Sequence, residues 1–132
     1  MARILGVENA RLLNLGRFNP PVHRGHDVFA PPGSGVFVPQ STTMTVINST
    51  FDPAFFKGQI SGTLTMCGQS FGFVAAHLGN QPAIRTYEAG EQIGTVAGGV
   101  SFTPHIHWGF NRGQIPPPGT VDPVPIWRQC VS

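Results

Sequence analysis

The amino-acid sequence predicts an all-β fold, a mainly antiparallel folded sheet or sandwich with little helix. Three observations predict it. Apolar and polar residues alternate in short runs rather than falling in helical stripes. Gly (17) and Pro (13) punctuate a chain of 132 residues, which disfavours long helices. Ten Phe, two Trp and many Val, Ile and Thr favour strands, and they argue against the disorder that so much Gly and Pro otherwise implies.

The runs follow one another with turn residues near most of their boundaries. The first two, 27–30 and 35–38, are separated by Pro31-Pro32-Gly33. Further runs occupy 44–47, 59–66, 71–78, 92–97 and 105–110. In 59–66, Ile60, Leu64 and Met66 share one face with Gly62, while Ser61, Thr63 and Thr65 share the other, so this strand reads as half buried. Residues 11–15 are compatible with one helical turn, which Gly16 and the Pro20-Pro21 pair stop. The chain therefore reads as a single domain over 1–132, with an N-terminal segment (1–20), an irregular stretch at 114–118 and a C-terminal tail (124–132).

Charge and composition exclude several function classes. Net charge is +2, only 11% of residues are charged, and no basic run exceeds one residue, which leaves no footprint for nucleic acid. No apolar stretch approaches the roughly 18 residues of a membrane span. The first residues reach Glu8 before a secretory apolar segment develops, so no export signal is visible. Cys67 and Cys130 are too few and too far apart for a cysteine-based zinc site, and pairing or buried thiols both remain open.

All five histidines fall in three compact segments. The first is His23-Arg24-Gly25-His26-Asp27. Two residues four apart lie about 13 Å apart along a straight strand, too far to reach one metal ion, so the backbone must bend between His23 and Asp27. Gly25 permits such a bend. The second segment is His105-Ile106-His107-Trp108, where period-2 alternation puts both imidazoles on one face and Ile106, Trp108 and Phe110 on the other. The third is His77, polar at the end of an apolar strand. Taken singly it reads as a hydrogen-bonded core histidine; with the other segments it becomes a third polar group able to converge on the same cleft.

Four blocks, in order, carry a resemblance. They are His23-x-Gly25-x-Asp27 with Ala30-Pro31-x-Gly33 and Val36; Ala76-His77-Leu78; Ala89-Gly90-Glu91-Gln92-Ile93-Gly94-Thr95-Val96 leading into Thr103-Pro104-His105-Ile106-His107-Trp108; and Val121-Asp122-Pro123. Together they resemble the lysostaphin-type (LytM) zinc endopeptidases of bacterial cell walls. The resemblance implies a mainly antiparallel β fold, one Zn²⁺ per chain held by His23, Asp27 and His107, and His77 and His105 beside the metal as catalytic histidines. It further implies peptidoglycan peptides, stem or crossbridge, as substrate and an extracellular, periplasmic or phage-associated location. Two departures stand out. Ala75 occupies a place where members commonly carry Tyr, and Cys67-Gly68 stands where many have a His-Gly turn.

The implied residues suit the chemistry. Two His and one carboxylate leave a fourth zinc position for water, and neutral imidazoles can move protons and donate hydrogen bonds to an oxyanion. No H-E-x-x-H device is present, so histidines rather than a Glu would handle the proton. His26 reads as a neighbour facing away from the metal. Asp52 and Asp122, each before a proline, read as turn residues. Trp108, Phe110, Tyr87 and Trp127 read as core. A non-catalytic peptidoglycan-binding or hydrolase-activating relative typically loses metal ligands, whereas every implied ligand is present here. A structural zinc module would instead fill the fourth coordination position.

Overall fold

A computed structural model describes residues 3–12, 25–54, 56–112 and 121–131. Its strands are β1 (Arg3–Ile4), β2 (Val7–Glu8), β3 (Arg11–Leu12), β4 (His26–Phe29), β5 (Gly35–Phe37), β6 (Thr42–Asp52), β7 (Lys57–Met66), β8 (Gln69–Leu78), β9 (Thr86–Tyr87), β10 (Gln92–Thr95) and β11 (His105–Arg112). One helix, α1 (Pro123–Val131), follows them. The strands form two antiparallel sheets, ordered β1-β2-β5-β10 and β3-β4-β11-β8-β7-β6-β9. This is the all-β, little-helix architecture that the alternating runs predict, and each of those runs overlaps a strand.

Three readings need correction. Residues 11–12 pair with β4 as a strand instead of starting a helical turn, and 13–15 lie outside the described residues, as does 114–118. The 44–47 run belongs to a strand of 11 residues, because its second half, Asn48 to Asp52, lacks buried apolar residues yet remains paired with β7. The C-terminal tail contains α1. Two prolines disguise that helix. Pro123 and Pro125 both fall in its first turn, where backbone N–H groups have no intrahelical acceptor to lose. The Asp122 carboxylate caps it, accepting from the Val124 N–H at 3.0 Å.

The two sheets enclose the core. Val7, Val36 and Ile93 from the smaller sheet, with Val38 just beyond β5, meet Val28, Ile60, Leu64, Phe71, Phe73, Ile106, Trp108 and Phe110 from the larger one. On β7 the expected division is observed: Ile60, Leu64 and Met66 are buried, whereas Thr63 and Thr65 are not, although Ser61 is also covered. Trp108 is fully buried, and Phe110 and Tyr87 join the core, while Trp127 on α1 packs half-buried against it. Burial of each large side chain of this kind stabilises the fold by about 1.5–3 kcal/mol.

β7 and β8 form a hairpin through Cys67 (φ 54) and Gly68 (φ 74). Positive φ at both central residues matches the strand twist of a tight two-residue turn. Cys67 is bonded to Cys130 of α1, with Cα atoms 5.5 Å apart, so the two thiols left open by the sequence pair. The bridge closes a separation of 63 residues and ties the helix to the hairpin end of the large sheet. Val121 supplies a second tie, its N–H donating to the Phe110 carbonyl at 2.9 Å.

Candidate active site

The register of β4 against β11 builds the first part of the site. Asp27 lies opposite His107, and Phe29 opposite His105. Because alternate residues face opposite ways, Val28, Ile106 and Trp108 enter the core while Asp27, His105 and His107 share the outer face. Asp27 Oδ1 lies 2.8 Å from His107 Nδ1 and 3.5 Å from His105 Nε2. His26 pairs with Trp108 on the core side and is buried, facing away from this cluster as the sequence predicts.

Gly25 stands at a bend, as expected, and has a further role. A Cβ there would stand 2.5 Å from both Cε1 and Nε2 of the His107 imidazole and 2.4 Å from the Trp108 carbonyl oxygen. Its backbone does not need positive φ; what it supplies is room for the ring of His107.

His77 reaches the same face through an irregularity in β8. Gly58 pairs with Leu78 and Gln59 with Ala76, so His77 is an extra residue, a bulge with φ 74. A regular strand would turn residue 77 inward with Phe71, Phe73 and Ala75. The bulge instead places Leu78 in the core, fully buried, and brings the His77 ring to 4.7 Å from the ring of His105. Left-handed backbone at a non-glycine residue is strained, and here the fold holds it from both sides. The His77 N–H donates to the Phe56 carbonyl at 3.0 Å, and the His77 carbonyl accepts from Ala97 at 3.0 Å.

Two main-chain carbonyls fix the imidazole protons. Phe56 O lies 3.2 Å from His77 Nδ1, and Thr103 O lies 2.7 Å from His105 Nδ1. A carbonyl can only accept, so in each neutral ring the proton sits on Nδ1 and Nε2 carries the lone pair. Burial, then the neighbouring His105 and, more weakly, His107, lower the pKa of His77 from 6.5 to about 4 despite the Phe56 carbonyl and Asp27. At neutral pH it is an uncharged imidazole.

Phe56 and Phe102 complete the surroundings of His77. The Phe56 ring stacks parallel to it at 6.2 Å and the Phe102 ring lies at 4.7 Å, also 5.1 Å from His105. Phe56 is 49% exposed although large and apolar. Sequence reasoning misses both, because they stand in loops where no periodicity distinguishes one Phe from another. Ala75, at the place where the resembled family carries Tyr, is buried against Ile60 and Trp108.

The arrangement of strands that carries these side chains is that of a known fold. Lysostaphin, in its solution NMR structure, matches with a TM-score of 0.68 at 22% identity over 93% of this chain and 52% of its own. The fold is that of the lysostaphin-type peptidases. A Pseudomonas aeruginosa protein assigned to peptidase family M23 matches with a TM-score of 0.60 at 21% identity, covering 96% of this chain and 52% of its own. A zinc-containing peptidase from Vibrio cholerae gives 0.55 at 17% identity, covering 87% and 36%. The chain thus spans about half the length of the first two solved chains and about a third of the last. No family model and no curated protein matches it.

A catalytic zinc ion needs three protein donors and an open fourth position. Asp27 Oδ1 and His107 Nδ1 face each other across a hydrogen bond, as two ligands do when a proton stands in for a metal, and both are N/O donors of the type zinc accepts. Among the described residues no third His, Cys, Asp or Glu completes a group with them. His23, the remaining residue of the expected set, lies outside the described residues, two positions before Gly25. The donor types of Asp27 and His107 are ones zinc accepts, and these two are the described members of the set that the resemblance implies.

Proposed function

We propose that this chain is a zinc-dependent peptidase acting on peptide bonds of peptidoglycan, with His23, Asp27 and His107 holding one Zn²⁺ and His77 and His105 serving as catalytic histidines. The observation that carries the reading is the convergence of Asp27, His107, His105 and His77 on one face of a lysostaphin-type sheet. A bulge and a left-handed residue are spent on bringing His77 there, which a purely structural histidine does not require. The three solved proteins named above are peptidases or lysostaphin by name, and one is zinc-containing.

When bound, zinc supplies a Lewis acid that polarises a peptide carbonyl and acidifies water. The chain's own groups do the rest. In the Nδ1–H tautomer His105 and His77 each carry on Nε2 the lone pair that can accept a proton, and a ring so protonated can return it to the departing amine. The Thr103 and Phe56 carbonyls hold both rings in that tautomer while the proton moves. Low basicity keeps His77 uncharged beside a cation. Phe56 and Phe102 exclude water around the rings, which strengthens hydrogen bonds made there.

The Cys67–Cys130 bridge supports an oxidising location, extracellular, periplasmic or phage-associated. Among the described residues no helix is long and apolar enough to cross a membrane. The test is the clearing of bacterial cell walls, followed by turbidity and by mass spectrometry of released peptides. Clearing that chelator abolishes and zinc restores is expected. Intact walls from several cross-link types, with stoichiometric zinc bound, would overturn the enzymatic reading.

A further inference from the structure

Next to the histidines lies a concavity that the proposed catalysis does not use. It encloses about 400 Å³ and is lined by Asn9, Arg11, Phe29, Pro31, Thr103 and Pro104, among others. Register connects it to the site. Arg11 pairs with Phe29, and Phe29 with His105, so the three residues form one row across β3, β4 and β11 on the outer face. The Phe29 ring is the wall between them, 5.3 Å from the His105 ring, and Thr103, whose carbonyl orients His105, borders the cavity as well.

Arg11 is exposed, and among the described residues it has no carboxylate partner. Arg3 and Arg85 differ, facing Glu8 at 3.8 Å and Glu91 at 3.0 Å. A guanidinium is a planar fork of N–H donors shaped for a carboxylate. Phe29, Pro31 and Pro104 give its pocket apolar walls, where a charge-assisted hydrogen bond is stronger than in open water. Asn9 and Thr103 add neutral polar groups to the same rim.

We infer that Arg11 and this pocket bind a free carboxylate of the peptide substrate, making the chain selective for anionic peptides. Two strand spacings separate Arg11 from His105, about 10 Å between backbones. An extended peptide advances about 3.3–3.6 Å per residue, so the carboxylate sits within about three residues of the bond held beside His105. The inference rests on the peptidase reading for the identity of its ligand, but it is a statement about binding and can be tested apart from turnover.

The probes are soluble peptidoglycan stem peptides, either with free carboxylates or fully amidated, titrated calorimetrically in a His77→Ala background so that they survive. The free acids should bind about ten- to a hundredfold more tightly than the amides. Arg11→Gln should bring that ratio to about one, and Arg11→Lys should leave it in between because it keeps charge without the fork. Thermal melting of each variant separates loss of the pocket from loss of the fold. A ratio unchanged in folded Arg11→Gln, or no binding of either peptide form, overturns the proposal. Peptides amidated only at the chain terminus, or only at internal carboxyls, identify which carboxylate is read, and either loss of affinity supports the pocket. Absence of cleavage by the native chain, with the binding ratio intact, overturns the peptidase reading and leaves the pocket standing.

Discussion

Gly25 is the residue whose replacement tests the geometry around His107 most sharply. Its missing Cβ is what lets the imidazole pass, so Gly25→Ala should displace that ring and weaken zinc affinity about 10–100-fold, measured by competition with a chelating dye. Unchanged affinity would mean that the His107 ring does not need this position. His77 makes a second prediction, for the metal-free protein. Its folded pKa is lowered to about 4 from 6.5, so the unfolded chain binds the extra proton between those values. Stability should therefore rise with pH through that window and be lost as pH falls from about 6.5 towards 4, by on the order of 3 kcal/mol in full. Chemical denaturation across this range should show the slope in the native chain and less of it in His77→Gln; equal slopes would remove His77 as its source. At this scale the sequence is informative where chemistry is local. The facing of His26 rests on the resemblance, whereas that of His105 and His107 follows from alternation alone. The direction of His77 does not, because a bulge is defined only against a partner strand, and β7 is where the missing residue shows.

At the scale of elements, β8 and the hairpin before it join two unlike ends of the molecule. The bulge at His77 ends the strand at the site, while the Cys67-Gly68 turn lies at the other end, roughly 30 Å away along an extended strand. The disulfide there anchors α1 and should be separable from the chemistry. Replacing Cys67 and Cys130 together by Ser should cost about 2–4 kcal/mol of stability in denaturant titration while leaving zinc content unchanged. Loss of zinc from the folded double variant would show that the two ends are coupled. Asp122→Ala, which removes the cap of α1, should cost about 1 kcal/mol in the same assay. Strands β4 to β8, β10 and β11 were legible because amphipathic alternation survives in them, even where their limits differ. The two-residue strands β1, β2, β3 and β9 are too short to show a period, and α1 hides behind two prolines that its first turn tolerates.

At the scale of the whole molecule, two facing sheets let a chain with few charges bury a large aromatic core and still display a polar outer face. Phe73, wholly buried between the sheets beside Trp108, reports on that arrangement, and Phe73→Ala should cost about 3–5 kcal/mol. A much smaller loss in denaturant titration would mean that the sheets do not close as described. The same packing fixes the site, since β11 presents Ile106, Trp108 and Phe110 to the core and His105 and His107 outward. The most direct test of that central arrangement is zinc content by mass spectrometry of the purified native chain, His107→Ala and His105→Ala. About one zinc per chain in the native protein and in His105→Ala, with loss in folded His107→Ala, is the predicted result. Full retention of zinc by His107→Ala, or loss from His105→Ala alone, would contradict the assignment of the two histidines.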